Sequence, residues 1–229
     1  MKTSLKHLTA SIVALPLLLG IAGAAQADDT FAYGKLGLGA GVGVGTRINE
    51  NFSIRGGING SSSGMYDRSI GSANYDFKPK LDGSLEAMID WFPRADSGFR
   101  VTGGLLYLKN MRQELKGTTN SAGQYILNDH TYAAGEVGEL SGKITYNKIA
   151  PYFGVGWESS RDNKKGWRFI GDAGVMLTGG GSTSLSASGS ASNATLRQDV
   201  EAERQRVAAD SGDKRRFAAM LSIGAAYTF

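Results

Sequence analysis

The chain runs out on SIGAAYTF, residues 222–229. Ile223, Ala225, Tyr227 and Phe229 alternate with Ser222, Gly224, Ala226 and Thr228. A period of two sends alternate side chains to opposite faces of a strand. The tail of a soluble domain usually frays. A strand that stays apolar on one face up to a final aromatic reads instead as the closing strand of a sheet, paired along both edges.

The same period recurs upstream. Leu38, Ala40, Val42, Val44, Thr46 and Ile48 alternate with Gly39, Gly41, Gly43, Gly45 and Arg47. Phe52, Ile54 and Ile58 alternate with Ser53, Arg55, Gly57 and Asn59. In KPKLDGSLEAMIDWF (78–92), Leu81, Leu85, Ala87, Ile89 and Trp91 oppose Lys78, Lys80, Asp82, Ser84, Glu86, Met88 and Asp90. Phe99, Val101, Leu105 and Tyr107 form a further set, as do Phe153, Val155 and Trp157, and Trp167, Phe169, Val175 and Leu177. Two architectures bury one strand face: a β-sandwich, and a membrane barrel with its apolar face turned outward. A sandwich places its aromatics in mid-core. A bilayer barrel places them where strands meet the headgroups, and encloses its charges so that they must pair. Here Trp91, Phe92, Phe99, Tyr107, Trp157, Trp167, Phe169, Tyr227 and Phe229 crowd the strand ends.

Connection lengths agree. Residues 49–51, 93–98 and 158–166 are short, whereas 62–76, 110–141 and 179–215 are long, and the two kinds alternate. Outer-membrane barrels combine short periplasmic turns with longer outer loops and an even strand number. These connections separate seven strands. An eighth must precede them, and DDTFAYGKL (28–36), with a tight outer turn near Gly37, supplies it. The sequence therefore predicts an all-β fold: an eight-stranded antiparallel transmembrane β-barrel over 28–229, with one short helix in the last outer loop.

Ahead of that segment, Lys2 and Lys6, an apolar run from Leu8 to Ala22, and Ala25-Gln26-Ala27 have the layout of a secretory signal peptide over 1–27. Its removal takes the formal charge from +4 to +2, too mild to imply a nucleic-acid partner. The absence of cysteine excludes disulfides, thiolate catalysis and cysteine metal sites. With His130 alone after cleavage, a multi-histidine zinc site is excluded too, and no cofactor is expected. Asp129, His130, Ser121 and Ser141 are the only semblance of a catalytic set, and no nucleophile elbow accompanies them; no enzymatic activity is expected. The glycines of GLGAGVGVG (37–45) do not fit a dinucleotide-binding spacing.

In the outer loops, GGGSTSLSASGSAS (179–192) reads as a flexible linker. The period then changes: Leu196, Val200, Glu203 and Val207 predict a helix from Thr195, as N-cap, to about Ala209. Its charges suit a solvated helix, with a lid over the barrel mouth as the alternative. Pro151 lies inside an apparent strand, and Ile144 and Tyr146 have the opposite parity to Phe153. One bulge between Asn147 and Pro151 would satisfy both.

Parity makes Arg55, Lys80, Asp82, Glu86, Asp90, Arg100, Arg168 and Asp172 the candidate lumen-lining residues. Eight-stranded interiors are just filled by side chains. Here one arc carries glycines (Gly39 to Gly45, Gly57, Gly154, Gly156, Gly224) and the opposite arc long charged residues. Either those long chains close the barrel, which its width favours, or a narrow polar passage survives beside the glycines. The functional expectation is a low-conductance porin for small polar solutes such as amino acids. The alternative is a closed structural or adhesion barrel acting through its outer loops. The expected partners are outer-membrane lipid and, through the strand ending at Phe229, the barrel-assembly machinery, with the barrel itself a monomer.

GKITYNKIAPYFGVGW (142–157), GWRFIGDAGVMLTG (166–179), LRQDVEAERQRV (196–207) with the final LSIGAAYTF (221–229), and DGSLEAMIDWFP (82–93) followed by FRVTGGLLYLKN (99–110) together resemble the CarO family of outer-membrane proteins. The resemblance spans about residues 36–229. It implies an eight-stranded barrel and, for some members, passage of ornithine or other small basic amino acids. This chain departs from the family in its short first strand and in its basic helix end, with Arg204, Arg206, Lys214, Arg215 and Arg216. A basic rim repels cationic solutes unless acids such as Asp199, Glu201 and Glu203 mask it.

Overall fold

The computed structural model describes residues 29–70, 72–160, 165–179, 181–214 and 217–229. The expected signal peptide and the basic pair at 215 and 216 lie outside them. Eight strands close into an antiparallel barrel: β1 (Thr30–Leu36), β2 (Ala40–Arg47), β3 (Phe52–Asn59), β7 (Gly83–Trp91), β8 (Phe99–Lys109), β13 (Ile149–Glu158), β14 (Gly166–Leu177) and β16 (Phe217–Thr228). The closing strand β16 pairs with β14 on one side and with β1 on the other, Phe31 facing Thr228.

The two-residue period holds around the wall. In β16, Leu221 and Ile223 are 75% and 71% exposed while Ser222 between them is 7% exposed. Leu85, Ile89, Leu105, Phe153, Trp157, Trp167 and Phe169 likewise face outward. A continuous apolar girdle of this kind has no stable place in water. From Phe99 to Tyr107 the outward wall of β8 rises about 20 Å at the usual strand rise and tilt, close to the apolar band of a membrane barrel. The short turns have local causes: Asn49 Oδ1 accepts the N–H groups of Asn51 and Phe52, each at 2.9 Å, and so closes the β2–β3 turn.

The long connections are not loops. β4 (Ser62–Ser63), β5 (Tyr66–Ile70), β6 (Ala73–Leu81), β9 (Arg112–Thr118), β12 (Leu140–Thr145) and β15 (Ser182–Ala187) form a second sheet in the order β15-β12-β9-β6-β4, with β5 also on β6. A small hairpin, β10 (Gln124–Leu127) with β11 (His130–Ala133), and a single turn α1 (Ala134–Val137) complete this outer unit with the long helix α2 (Ala194–Lys214). The order repeats that of β14, β13, β8, β7 and β3 below, so five of the eight barrel strands continue upward as an open sheet. The expected flexible linker over 179–192 contains β15, held to β12 in a ladder from Leu140–Ala187 to Thr145–Ser182. Serine and threonine on an edge strand are as compatible with a ladder as with a linker, and composition alone did not distinguish them.

The wall breaks between the two units at one level. The expected single strand over 78–92 is split at Asp82 because Gly83 takes φ +141°, a region that favours glycine. Asn110, at φ +52°, separates β8 from β9. Instead of the expected bulge near Pro151, residues 146–148 separate β12 from β13. Leu108 N–H donates to the Lys148 carbonyl at 2.6 Å, so by alternation the Pro151 nitrogen points toward β14, whose ladder begins only at Tyr152.

The helix is longer than its pattern and is not a solvated appendage. Asn193, rather than Thr195, caps it: its Oδ1 accepts the Leu196 N–H at 3.0 Å. Leu196, Val200 and Val207 pack with Tyr75, Phe77, Leu115 and Ile144 in a closed core. Tyr75 and Phe77 share their strand face with Leu81, which packs inside the barrel. The helix therefore roofs the concave face that continues the barrel interior, as the lid alternative has it.

Candidate functional site: the barrel lumen

Strand parity turns six of the eight expected residues inward: Arg55, Glu86, Asp90, Arg100, Arg168 and Asp172 are all buried or nearly so. Arg55 from β3 reaches Asp90 on β7 (Nε to Oδ2, 2.9 Å) and Asp172 on β14 (Nη2 to Oδ1, 2.9 Å). Arg100 from β8 donates to the same Asp172 oxygen at 2.7 Å and lies 3.4 Å from Asp90 and 3.7 Å from Glu158. Arg168 donates to Glu158 at 3.1 Å and to the Thr228 hydroxyl of the closing strand. Thr102 donates to Asp90 at 2.5 Å and Ser222 to Asp172 at 3.3 Å. A second group centres on Glu86, which accepts from Lys35 at 2.7 Å, Tyr33 at 2.8 Å and Asn59 at 3.0 Å.

Lys80 and Asp82 are corrections. The break at Gly83 places both on the outer unit, where Lys80 pairs with Glu114 at 2.6 Å and Asp82 with Arg112 at 2.9 Å. Their parity was read through a strand that does not continue. Conversely, Tyr33, Lys35, Asn59, Thr102 and Glu158 belong to the network and were not among the candidates. The signal was present for β1, since Phe31, Tyr33 and Lys35 share one parity in FAYGKL (31–36).

The enclosed ions balance: Lys35, Arg55, Arg100 and Arg168 stand against Glu86, Asp90, Glu158 and Asp172. Unpaired charge in a dry interior is prohibitive, so such a network tolerates little rearrangement. Among Phe31, Tyr33, Ser53, Arg55, Asp90, Arg100, Glu158 and Ile170 the remaining space is about 10 Å³, enough for one water's centre. Toward the outer end, Leu81, Met88, Leu106, Leu108, Ala150, Tyr152, Met176 and Met220 form an apolar plug, with Leu38 and Met111 packed on it.

The glycine arc is not a passage. A Cβ on Gly43 would run into the Tyr33 ring, one on Gly57 into the Tyr33 hydroxyl, and one on Gly154 or Gly174 into the Tyr152 hydroxyl. A Cβ on Gly156 would meet the Arg100 guanidinium at 2.7 Å. Each of these glycines is the slot for a large side chain, whereas Gly39 and Gly224 sit against neighbouring backbone carbonyls. A hollow of about 1110 Å³ does exist, but its Val44, Ile54, Ile58, Ile89 and Leu105 lining opens on the outside of the wall.

In the outer unit, His130 Nδ1 lies 2.8 Å from Asp199 Oδ2 on the helix, and the Tyr132 hydroxyl donates to the same oxygen. Ser141 pairs with Lys116 and Ser186 in the sheet. The histidine thus holds the helix to the β10–β11 hairpin.

The fold is that of two solved Acinetobacter baumannii proteins. The crystal structure of CarO2 superposes with a TM-score of 0.62 at 20% identity, covering 88% of this chain and 98% of that one. The crystal structure of CarO superposes with a TM-score of 0.60 at 24% identity, over the same shares. No protein-family profile and no curated protein matches the chain.

Proposed function

We propose that this chain is an outer-membrane barrel whose lumen is sealed at rest and whose outward sheet and helix are its working surface. The observation that carries this reading is the double filling of the lumen, a balanced ion network below and an apolar plug above. An ion or amino acid would have to shed its water to cross the plug, at a cost of several kcal/mol. Export by the signal segment over 1–27 and insertion through the strand ending at Phe229 complete the reading, and no catalytic role is assigned to His130.

One observation favours a second reading, slow passage of small polar solutes. Met88, Met176 and Met220 make up much of the plug, and methionine repacks more readily than branched side chains. Liposome swelling with glycine, ornithine and arginine separates the two. The sealed barrel gives no uptake above protein-free vesicles, whereas a Met88→Gly/Tyr152→Gly variant that empties the plug admits glycine. Uptake of any of the three solutes by the wild-type protein would overturn the sealed reading.

A further inference from the structure

The outer face of the wall changes character at one level. Below it, Leu85, Leu105, Tyr107 and Ile149 point outward and are well exposed. Above it, the same face of the continuing sheet is a polar grid. Across β6, β9 and β12 the rows are Lys80–Arg112–Thr145, Lys78–Glu114–Lys143 and Asp76–Lys116–Ser141. On β15, Ser182, Ser184 and Ser186 extend the three rows by one strand. Lys109 closes β8 on the outward parity of Leu105 and Tyr107, just beneath the grid.

Most of the acids in this grid are already engaged. Glu114 is held by Lys80 at 2.6 Å and by Arg112 at 3.4 Å. Asp82 accepts from Arg112 at 2.9 Å and from Asn110 at 3.0 Å. These contacts hold both carboxyls below their usual range, hydrogen bonding being the largest cause in each case. Asp76 faces Asp67 across the far edge, on the row most distant from the apolar wall. Lys78, Lys109, Lys116 and Lys143, by contrast, have no hydrogen bond or ion pair among the described residues. Lys78 and Lys116 feel Asp76, and Lys109 feels Asp82, only through space, so all four ammonium groups keep their hydrogen-bond donors on the face directly above lipid-facing leucine and isoleucine.

We infer that this convex face binds the phosphates of the glycolipid headgroups packed around the barrel in the outer leaflet. The inference rests on the outer-membrane reading. It follows from continuity of the wall: a lipid whose chains lie on Leu85, Leu105 and Ile149 carries its headgroup past Lys109 to Lys78 and Lys143. Lysine, a point charge on a flexible stem, suits a phosphate whose position varies from lipid to lipid. The Thr145, Ser184 and Ser186 hydroxyls donate to backbone carbonyls across the ladder and keep acceptor lone pairs suited to the sugar hydroxyls.

The test uses the full chain in dodecyl maltoside micelles, with bisphosphorylated lipid A and its dephosphorylated form as probes. The wild-type protein is expected to prefer the phosphorylated lipid at least tenfold, and to lose that preference as salt rises. A lysine facing an anionic headgroup layer contributes about fivefold. Replacing Lys78, Lys109, Lys116 and Lys143 by glutamine should therefore lower affinity by roughly six-hundredfold if the four act independently. Arg94→Gln/Lys165→Gln at the opposite end should leave it unchanged. Equal affinity of the wild-type protein for the two lipids, or equal affinity of wild-type and quadruple variant, would overturn the inference. Competition by inorganic phosphate as effective as by the lipid would also overturn it, by assigning the site to a free anion. Detergent uptake measured by light scattering on the same sample separates failure of the membrane reading, which removes the bound micelle, from failure of the headgroup assignment, which does not.

Discussion

Asp172 is where the lumen network is most exposed to a single change. Its carboxylate accepts from Arg55 at 2.9 Å, from Arg100 at 2.7 Å and from Ser222 at 3.3 Å, and so ties β3, β8 and β16 to β14. Asp172→Asn keeps the shape and removes the charge, leaving the two guanidiniums to share Asp90 and a distant Glu158. The enclosed charge goes from balanced to a net excess of one cation. Breaking a buried pair by removing one partner costs about 3–5 kcal/mol. For a chain of this size that lowers the thermal midpoint by about 6–20 °C. The assay is unfolding in detergent micelles, by urea at equilibrium and by heat, followed by tryptophan emission. Arg55→Met added to Asp172→Asn restores the balance, since Arg100 keeps Asp90 and Arg168 keeps Glu158. The double variant should therefore be more stable than Asp172→Asn alone, a sign reversal that simple loss of contacts does not give. A loss below about 1 kcal/mol for the single variant, or strictly additive losses in the double, would refute the reasoning.

Other consequences can be checked together. Burial pushes the Glu203 carboxyl up, against the Tyr75 and Arg206 contacts that pull it down. Its folded value therefore lies above its unfolded one, so the stability it contributes is full at low pH and is lost as pH rises through the folded value. Protection of the α2 amides against hydrogen exchange, corrected for the intrinsic rate, should then weaken from pH 4 to pH 7, and Glu203→Gln should flatten that dependence. Asp199 has the opposite sign: burial raises its carboxyl, but hydrogen bonds from Tyr132, Asn128 and His130 outweigh it and the net value is lowered. Asp199→Asn should loosen the β10–β11 hairpin at neutral pH by about 1–3 kcal/mol, read as proteolysis near residue 130. Gly154→Val should block assembly of a heat-modifiable barrel, because its side chain would fall on Tyr152 and the Ala173 carbonyl. Gly171→Val, whose Cβ meets only the Ser222 carbonyl at 3.8 Å, should assemble normally.

The membrane half of the fold was readable because one physical rule governs it: outward positions are apolar or glycine, and inward ones, the plug apart, are small, polar or paired. That rule fixed the eight strands, the closing role of β16 and the short turns. It failed above the apolar band, where neither face meets lipid chains. There the sheet has polar surroundings on its convex side and the helix on its concave side, so β15 needs only small polar residues outward and the pattern resembles a linker. The helix start was misjudged by two residues because both Asn193 and Thr195 are good caps, and only the Asn193 oxygen finds the Leu196 N–H. The length was underread because beyond Val207 no further apolar residue marks the buried face. Asp210 takes that place, through its 2.9 Å contact with Arg68.

For the lumen, the sequence posed an alternative that only three dimensions could resolve. Glycines at alternate inward positions mean either empty space or space already taken. Which of the two holds depends on residues far away in the chain: Tyr33 fills against Gly57, 24 positions on, and Arg100 against Gly156, 56 positions on. No local pattern couples such pairs. Charge count offered a partial answer, since enclosed ions must balance, but with Lys80 and Asp82 miscounted inside and Lys35 and Glu158 left out the sum came out even for the wrong residues. The correct set is also neutral, and it is tighter, because each of its carboxylates has at least two polar partners within 4 Å. A barrel held shut by paired ions opens only if a whole set of partners moves at once. Access from outside would further require the methionine-rich plug to shift, whose packing is apolar and undirectional, and the α2 helix to leave the Asp199, Glu203 and Asp210 contacts that hold it.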